Sequence, residues 1–375
     1  MKKIFLILLI IASNFLLTSC SKVNKYYYGE KEMFTKIWES NIIYNETVVL
    51  EDNQTEIAGR LLYPPKKIIS VRDYTLEKEY DPSEYRFEGN KIIRTASSTL
   101  PYLTSRQLAG EDLPEEYNFS TYQAKEPGAK IIFTEGIGIV MHQIAVTYVH
   151  DETWKGPIPG YQGEYLNNIL KKLENKEKVT VVLNGDSIAT GANSSGKLGI
   201  APYLDDFGTL FINQLQKKYE TEIEFFNTSL GGTLSEWGKT NVDPNINAYK
   251  PDLVIIGFGM NDGSWNIPPY KFKENIDFVI RSIKARNENT DIILLSTILA
   301  NPKSIQNSIQ EEYLPMLLEL QTEYKVAVVD MTSLSQHLFT IKKGVDILAN
   351  NINHPSDFLV RCYVSALLTA VSGEY

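Results

Sequence analysis

Five short apolar runs, each separated from the next by a helix-like stretch, occupy the second half of the chain. The runs are rich in β-branched and aromatic residues and lie at 179–183, 223–226, 253–258, 292–295 and 326–329. The stretches between them, such as 204–215 and 272–283, have apolar residues at helical spacing. Strands that are apolar throughout and alternate with helices indicate a parallel sheet covered on both faces. The pattern predicts an α/β domain over residues 178–375, most simply a flavodoxin-like three-layer α/β/α sandwich.

Residues 42–150 have a different pattern, without a long helical period. Strand-like runs lie at 47–50, 67–71, 85–87, 92–95 and 144–148, and several are bounded by Gly, Pro, Asn or Asp. This pattern predicts a separate β-sandwich domain over residues 42–150, of the jelly-roll type. Residues 151–177 begin with glycines and prolines and are interpreted as a linker followed by a packing helix.

The N-terminus has the features of an export signal. Lys2 and Lys3 precede an apolar segment at 4–17, and small residues precede Cys20. The segment is short for a transmembrane helix and resembles a bacterial lipoprotein signal peptide covering residues 1–19. It predicts cleavage and lipidation at Cys20, with a tether over residues 20–41 and a location in the cell envelope, anchored to a bacterial membrane by the lipid. The alternatives are an ordinary signal peptide or an uncleaved anchor.

Charge and cysteine content exclude several classes of protein. The formal charge of −9 makes the chain a poor ligand for polyanions, so we expect no nucleic acid partner. Cys362 is the only cysteine besides Cys20, which leaves the mature chain without an intramolecular disulfide. The sequence has neither the ligand spacing of a zinc site nor a glycine-rich nucleotide loop, so we expect no metal and no cofactor.

Ser187 lies in the sequence Gly-Asp-Ser-Ile at the end of the first apolar run. Open α/β sheets place reactive groups at the carboxyl ends of their strands. A serine hydroxyl needs a base and an oxyanion hole before it becomes an effective nucleophile. His354 lies in a loop before the last amphipathic segment and is the preferred base, whereas His142 and His150 fall in the β region and His337 falls in a helix-like stretch.

Four short motifs resemble, in order, the sequence blocks of the SGNH (GDSL-type) hydrolases. They are GDSI at 185–188, NTSLGG at 227–232, GMND at 259–262 and HP at 354–355. In that family the first serine is the nucleophile, and its own N–H, a glycine N–H and an asparagine side chain bind the oxyanion. The resemblance implies these roles for Ser187, Gly232 and Asn261, with the histidine of the fourth block as base. Gly232 is preferred over Gly231 because it lies at the family's usual offset from Asn227.

One position departs from the family's pattern. The family has an aspartate three residues before the histidine, and this chain has Asn351 there. An asparagine carbonyl can accept the imidazole Nδ1–H but supplies no negative charge. Three arrangements stay open: a Ser–His dyad supported by a backbone carbonyl, a triad assisted by Asn351, or a carboxylate from elsewhere. Asp357 is close in sequence and Asp330 ends the last run, but neither matches the motif.

The resemblance implies hydrolysis of a carboxylic ester through an acyl-enzyme. Two-domain secreted hydrolases of this arrangement resemble carbohydrate acetyl esterases, so the expected partner is an acylated small molecule or glycan carrying O-acetyl groups. Trp237 and Trp265 follow the second and third motifs, where their rings would either stack on sugar or pack the loops. The alternatives are a lipase or acyl esterase of the same family, and a surface glycan-binding lipoprotein with impaired catalysis. An α/β-hydrolase fold fits less well, because its nucleophile elbow has glycine where Ala189 stands.

Overall fold

The computed structural model describes residues 30–373, so the predicted signal peptide and Cys20 lie outside the described residues. The strands are β1 (Ile42–Val49), β2 (Glu51–Asp52), β3 (Ile57–Arg60), β4 (Lys67–Asp73), β5 (Tyr85–Glu88), β6 (Lys91–Arg94), β7 (Leu103–Thr104), β8 (Ser120–Gln123), β9 (Lys130–Phe133), β10 (Gln143–Val149), β11 (Val179–Gly185), β12 (Ile223–Asn227), β13 (Leu253–Gly257), β14 (Asp291–Leu295) and β15 (Ala327–Val329). The α-helices are α1 (Glu30–Met33), α2 (Ser105–Leu108), α3 (Gly138–Met141), α4 (Asn167–Glu174), α5 (Ser195–Leu198), α6 (Phe207–Tyr219), α7 (Ser235–Thr240), α8 (Val242–Asn245), α9 (Met260–Ser264), α10 (Pro269–Arg286), α11 (Tyr313–Tyr324), α12 (Met331–Phe339), α13 (Gly344–Ile347) and α14 (Asp357–Ser372).

The apolar runs of the second half form one parallel sheet in the described part of the chain. Its strand order is β12-β11-β13-β14-β15, and each neighbouring pair is parallel. Numbered from the first strand of this region, the order is 2-1-3-4-5, which is the order of flavodoxin-like folds. The predicted α/β fold is confirmed.

Side chains of the sheet alternate between two apolar cores. Val181 and Leu183 of β11 belong to the core that contains α6 and α14, whereas Val182 belongs to the core that contains α10 and α11. This two-sided burial explains why the strands are apolar at nearly every position. Helix α14 is buried along almost its whole length, because it packs against both β15 and β1.

The first part of the described chain is rich in antiparallel strands, as expected. Strands β1, β10 and β4 form one sheet, β5, β6, β3, β2 and β7 form a second, and β8 pairs with β9 as a separate hairpin. The β-rich character of this region is confirmed, and its jelly-roll connectivity stays a prediction.

The β-rich part and the α/β part share one apolar core. Residues of β1, β4 and β10 lie in the same cluster as α6 and α14. Met33, Phe34, Ile37 and Trp38, which fall within the predicted tether, are buried in this cluster too. These four side chains therefore pack against the folded protein, and the extent of the tether stays a prediction.

Candidate active site

Ser187 lies in a tight turn directly after β11. Gly185 pairs with Gly257 of β13, and a Cβ at position 185 would clash with the Gly257 carbonyl oxygen, so only glycine allows this approach. The Asp186 carboxylate then accepts the Ile188 N–H at 3.0 Å and closes the turn. Ser187 is thereby held at the carboxyl end of the first strand, at the switch point of the strand order.

His354 Nε2 lies 2.9 Å from Ser187 Oγ, which is within hydrogen-bond reach. The histidine loop is organised by Asn350, whose buried Oδ1 accepts the N–H groups of residues 352, 353 and 354 at 2.9 to 3.0 Å. The Ala349 N–H closes the loop by donating to the His354 carbonyl oxygen at 2.8 Å. Ser187 and His354 are each 8% exposed, so the pair is shielded but reachable.

The other ring nitrogen, His354 Nδ1, faces two acceptors. Asn193 Oδ1 lies 2.5 Å from it, and Glu135 Oε2 lies 3.3 Å from it. The Asn193 amide is oriented by its Nδ2, which donates to the Glu135 carbonyl oxygen at 2.7 Å. With its oxygen turned to the ring, Asn193 accepts the Nδ1–H. Nε2 is then left unprotonated and can accept the hydroxyl proton of Ser187.

Glu135 brings a negative charge to this side of the histidine. Burial raises the pKa of its carboxyl group, but the hydrogen bond and charge of His354 outweigh that effect and hold the pKa below its usual value. Asn350 Nδ2 also donates to Glu135 Oε1 at 3.4 Å. Glu135 is therefore ionised at neutral pH, which its exposure to solvent over 57% of the side chain also favours.

The structure does not bring Asn351 to the histidine. Asn351 Nδ2 donates to the Ile132 carbonyl oxygen of β9 at 2.9 Å, and its Oδ1 accepts Asn301 Nδ2 at 2.8 Å. Its φ of 64° is in the left-handed region, which asparagine tolerates. The predicted contact between Asn351 and His354 is therefore corrected: this side chain holds β9 against the α/β part.

The two aspartates considered from the sequence have other partners. Asp357 Oδ1 accepts the Ser195 N–H at 2.9 Å, at the start of α5. Asp330 Oδ1 accepts the Ser333 N–H at 2.8 Å and caps α12. Of the three open arrangements, the geometry therefore favours a carboxylate from elsewhere, together with the Asn193 side chain.

The second motif passes directly over Ser187. The Leu230 N–H holds this loop against the end of β11 by donating to the Gly185 carbonyl oxygen at 3.1 Å. A Cβ on Gly231 would lie 3.6 Å from Ser187 Cβ, and Gly232 follows with a φ of 78° that favours glycine. Gly231 is therefore the glycine beside the nucleophile, and the expected oxyanion donor, the Gly232 N–H, belongs to the next residue.

Asn261 enters the site from α9. Its Nδ2 donates to the Thr233 carbonyl oxygen at 2.9 Å, which orients the amide, and an amide has a second N–H to offer an oxyanion. The next residue, Asp262, is buried and accepts both the N–H and the hydroxyl of Ser235 at 2.5 to 3.1 Å. Desolvation raises the pKa of Asp262, and the Ser235 bonds oppose that rise. These bonds fix α9 to the start of α7.

Asp186, beside the nucleophile, is fully buried. Desolvation raises the pKa of Asp186 to about 7, with a further contribution from the charge of Asp262. The N–H groups of Ile188 and Met260 oppose this rise by donating to the carboxylate. Asp186 therefore titrates near neutral pH. Through the bonds from the Ile188 and Met260 N–H groups, its carboxylate also connects the first motif to the third.

The two tryptophans near the motifs have different surroundings. Trp237 packs edge to face against Phe258, with ring centroids 6.4 Å apart. Trp265 is 74% exposed, and its N–H donates to the Asn261 carbonyl oxygen at 2.9 Å, one helical turn from the oxyanion donor. Trp265 is the more exposed of the two and offers a ring face to a ligand.

Asn193, Glu135 and Asn350 contact the histidine or its loop, and none of the three was predicted. Asn193 lies in a loop of small polar residues after the nucleophile and has a φ of 62°, a conformation that asparagine favours. Glu135 follows β9 between Thr134 and Gly136, which is a common place for a functional carboxylate. Nothing in the local sequence connects either residue to His354.

Within residues 30–373, no cluster of three or more His, Cys, Asp or Glu side chains is arranged to bind a metal ion. In the same range, no helix combines the length and apolar character that crossing a membrane requires.

Comparison with solved structures gives matches of low sequence identity. A two-domain esterase (CEX) active on acetylated mannans, co-crystallised with mannopentaose, is 20% identical, with a TM-score of 0.45 over 56% of this chain and 53% of that chain. A catalytic mutant of Axe2, an acetylxylan esterase from Geobacillus stearothermophilus, is 16% identical, with a TM-score of 0.42 over 52% and 94% of the two chains. The lipase/acylhydrolase from Enterococcus faecalis is 22% identical, with a TM-score of 0.38 over 51% and 95%. The chain spans about half the length of the two-domain esterase.

Comparison with curated protein sequences gives no match. Comparison with protein families matches residues 183–357 to the GDSL-like Lipase/Acylhydrolase family. The matched segment contains Ser187, Gly232, Asn261 and His354, and it lies in a sheet with the 2-1-3-4-5 strand order. Residues 183–357 of this chain are therefore similar to the GDSL-like lipase/acylhydrolase family in both sequence motifs and strand order.

Proposed function

We propose that the protein is a serine esterase that removes small acyl groups, specifically O-acetyl groups, from carbohydrate. The observation that carries the proposal is the 2.9 Å contact between Ser187 Oγ and His354 Nε2, with the glycine loop of the second motif against Ser187. Gly232 and Asn261 are the proposed oxyanion donors. Nucleophile, base and oxyanion donors are the parts that acyl transfer to water requires.

The reaction follows from this arrangement. Ser187 Oγ attacks the ester carbonyl carbon while His354 Nε2 takes the hydroxyl proton, and the oxyanion is held by the N–H groups of Ser187 and Gly232 and by the Asn261 amide. The imidazolium then protonates the leaving alcohol, and an acyl-serine remains. A water molecule, deprotonated by His354, attacks this ester, and the acid leaves as the serine recovers its proton.

Replacing the nucleophile tests the reaction. Ser187→Ala should lower kcat for acetate release from acetylated oligosaccharide by at least about 10³-fold, because the acyl-enzyme can no longer form. Ser333→Ala, at the start of α12 and away from the site, is the matched control and should keep full activity. Parent-like activity in the Ser187→Ala protein would contradict the proposal.

Acyl-chain selectivity separates the proposed function from its alternatives. The parent protein is assayed on acetylated oligosaccharides and on p-nitrophenyl esters of increasing chain length. An acetyl esterase should prefer the shortest chain, whereas a preference for long chains would indicate a lipase. A parent protein that binds glycan but hydrolyses no ester would indicate a binding protein instead.

Trp265 supports a carbohydrate substrate, because an exposed aromatic face beside a catalytic site suits the apolar face of a sugar ring. Trp265→Ala should raise KM for acetylated oligosaccharide about 5-fold, which corresponds to roughly 1 kcal/mol of lost binding. KM for p-nitrophenyl acetate should stay unchanged, since that substrate has no sugar to stack. Tyr270→Ala, another exposed aromatic residue, is the control. Equal effects of Trp265→Ala on both substrates would argue against stacking.

The proposed location follows from the sequence alone. We propose that lipidated Cys20 holds the enzyme at a membrane of the cell envelope, where extracellular or periplasmic glycan is accessible. Cell fractionation should find the parent protein with membranes and the Cys20→Ala protein in the soluble fraction. Membrane association that survives Cys20→Ala would exclude the lipid anchor.

A further inference from the structure

We infer that Glu135 is the carboxylate that supports His354, in place of the aspartate that related hydrolases have three residues before the histidine. This inference rests on the proposed function and deepens it. Glu135 comes from the β-rich part of the chain, whereas Ser187, Asn193 and His354 come from the α/β part. The active site is then completed across the boundary between the two parts.

Residue 135 is tied to the site through both its side chain and its main chain. Glu135 Oε2 lies 3.3 Å from His354 Nδ1, and its Oε1 accepts Asn350 Nδ2 at 3.4 Å. The Glu135 carbonyl oxygen accepts Asn193 Nδ2 at 2.7 Å. The main chain of residue 135 therefore orients Asn193, while its side chain faces the same histidine.

The segment that carries Glu135 is fixed to the α/β part at two places. Asn351 Nδ2 donates to the Ile132 carbonyl oxygen at 2.9 Å, three residues before Glu135. In the β8–β9 connection of the hairpin, the Lys125 N–H donates to the Lys303 carbonyl oxygen at 2.8 Å. The asparagine at the motif's aspartate position therefore holds the strand that delivers the replacement carboxylate.

Asn193 and Glu135 divide the task of the usual aspartate. Asn193 Oδ1, at 2.5 Å, accepts the Nδ1–H and sets the tautomer. Glu135 supplies the negative charge that offsets the imidazolium formed during catalysis. Because 57% of the Glu135 side chain is exposed, solvent screens its charge more than it screens the charge of a buried triad aspartate. Loss of such a buried aspartate costs about 10⁴-fold in kcat, and loss of the Glu135 charge should cost less.

Removing the charge while keeping the shape tests the inference. Glu135→Gln should lower kcat about 10-fold with KM unchanged, since the charge acts on the imidazolium and not on bound substrate. Glu135→Asp should retain part of the rate. Glu126→Gln, an exposed glutamate in the β8–β9 connection, is the matched control and should have no effect.

Two further results separate this role from a structural one. Glu135→Gln should leave Tm within about 2 °C of the parent, as expected for an exposed polar substitution. Asn351→Asp should not restore the rate of Glu135→Gln, because residue 351 faces Ile132 and Asn301. An unchanged kcat in Glu135→Gln, or a rate loss accompanied by a large fall in Tm, would overturn the inference.

A measurement without substrate keeps the inference separate from the proposed function. Proton NMR at one fixed pH follows the Nδ1–H resonance of His354 in the parent and in Glu135→Gln, with the resonance assigned by its absence in His354→Gln. The chemical shift of this proton should move in Glu135→Gln, because the carboxylate charge that faces Nδ1 is gone, and an unchanged chemical shift would overturn the inference. This result holds even if the parent hydrolyses no ester, an outcome that would contradict the proposed function alone.

Discussion

Asp186 shows how a single buried carboxyl group can make the whole protein sensitive to pH. It sits beside the nucleophile, without solvent and close to the second buried carboxylate, Asp262. Its pKa of about 7 lies above the usual aspartate value, so the folded protein holds this proton more tightly than the unfolded chain does. Its contribution to stability is therefore fully present below the ordinary aspartate pKa and is lost as pH rises toward 7.

Asp186→Asn should flatten this pH dependence. Between about pH 4 and pH 7, the Asp186 contribution to the free energy of unfolding falls by roughly 1.4 kcal/mol per pH unit, and asparagine has no proton to lose. Urea unfolding of both proteins at pH 5, 6 and 7 measures the difference. Asp243→Asn, an exposed aspartate, is the control and should keep the parent's slope. Equal slopes in the parent and Asp186→Asn would show that this group does not titrate in that range.

Among the secondary-structure elements, β1 is joined to the segment between α12 and α13 by a buried ion pair. Glu46 Oε1 lies 2.6 Å from Lys342 Nζ, and both side chains are fully buried. Tyr148 OH and the Leu62 N–H also donate to the Glu46 carboxylate, at 2.6 and 2.9 Å. A buried pair of this kind adds little net stability, but removal of one partner leaves an uncompensated charge.

Lys342→Ala should therefore destabilise the protein by about 3 to 5 kcal/mol. Lys343→Ala, its neighbour, removes a surface pair with Glu51 and should cost less than about 1 kcal/mol. Denaturant unfolding of both variants gives the comparison. The double change Glu46→Gln with Lys342→Met should recover most of the loss, because no charge is then left buried. Similar losses in Lys342→Ala and Lys343→Ala would show that the pair is not desolvated as the structure indicates.

For the molecule as a whole, the sequence predicted the parallel sheet and the nucleophile–base pair far better than it predicted what surrounds them. The strands can be recognised from the local sequence, because burial on both faces of the sheet makes them apolar throughout. Ser187 and His354 lie in short motifs at strand and loop ends, and the structure places them 2.9 Å apart. Contacts such as the Val49 N–H to Asp346 Oδ1, 297 residues apart in the chain, leave no local pattern. For the same reason the part proposed for Glu135 could not be predicted, nor could the packing of β1, β4 and β10 into the same core as α6 and α14.

The location of Glu135 has a consequence for how the protein becomes active during synthesis. The proposed charge partner is made early, in the β-rich part, and the base is made late, just before α14. A growing chain would hold the glutamate before the histidine has been made. Hydrolysis at full rate would begin only when both parts of the chain have folded together. Full activity would therefore depend on synthesis and folding of the whole chain.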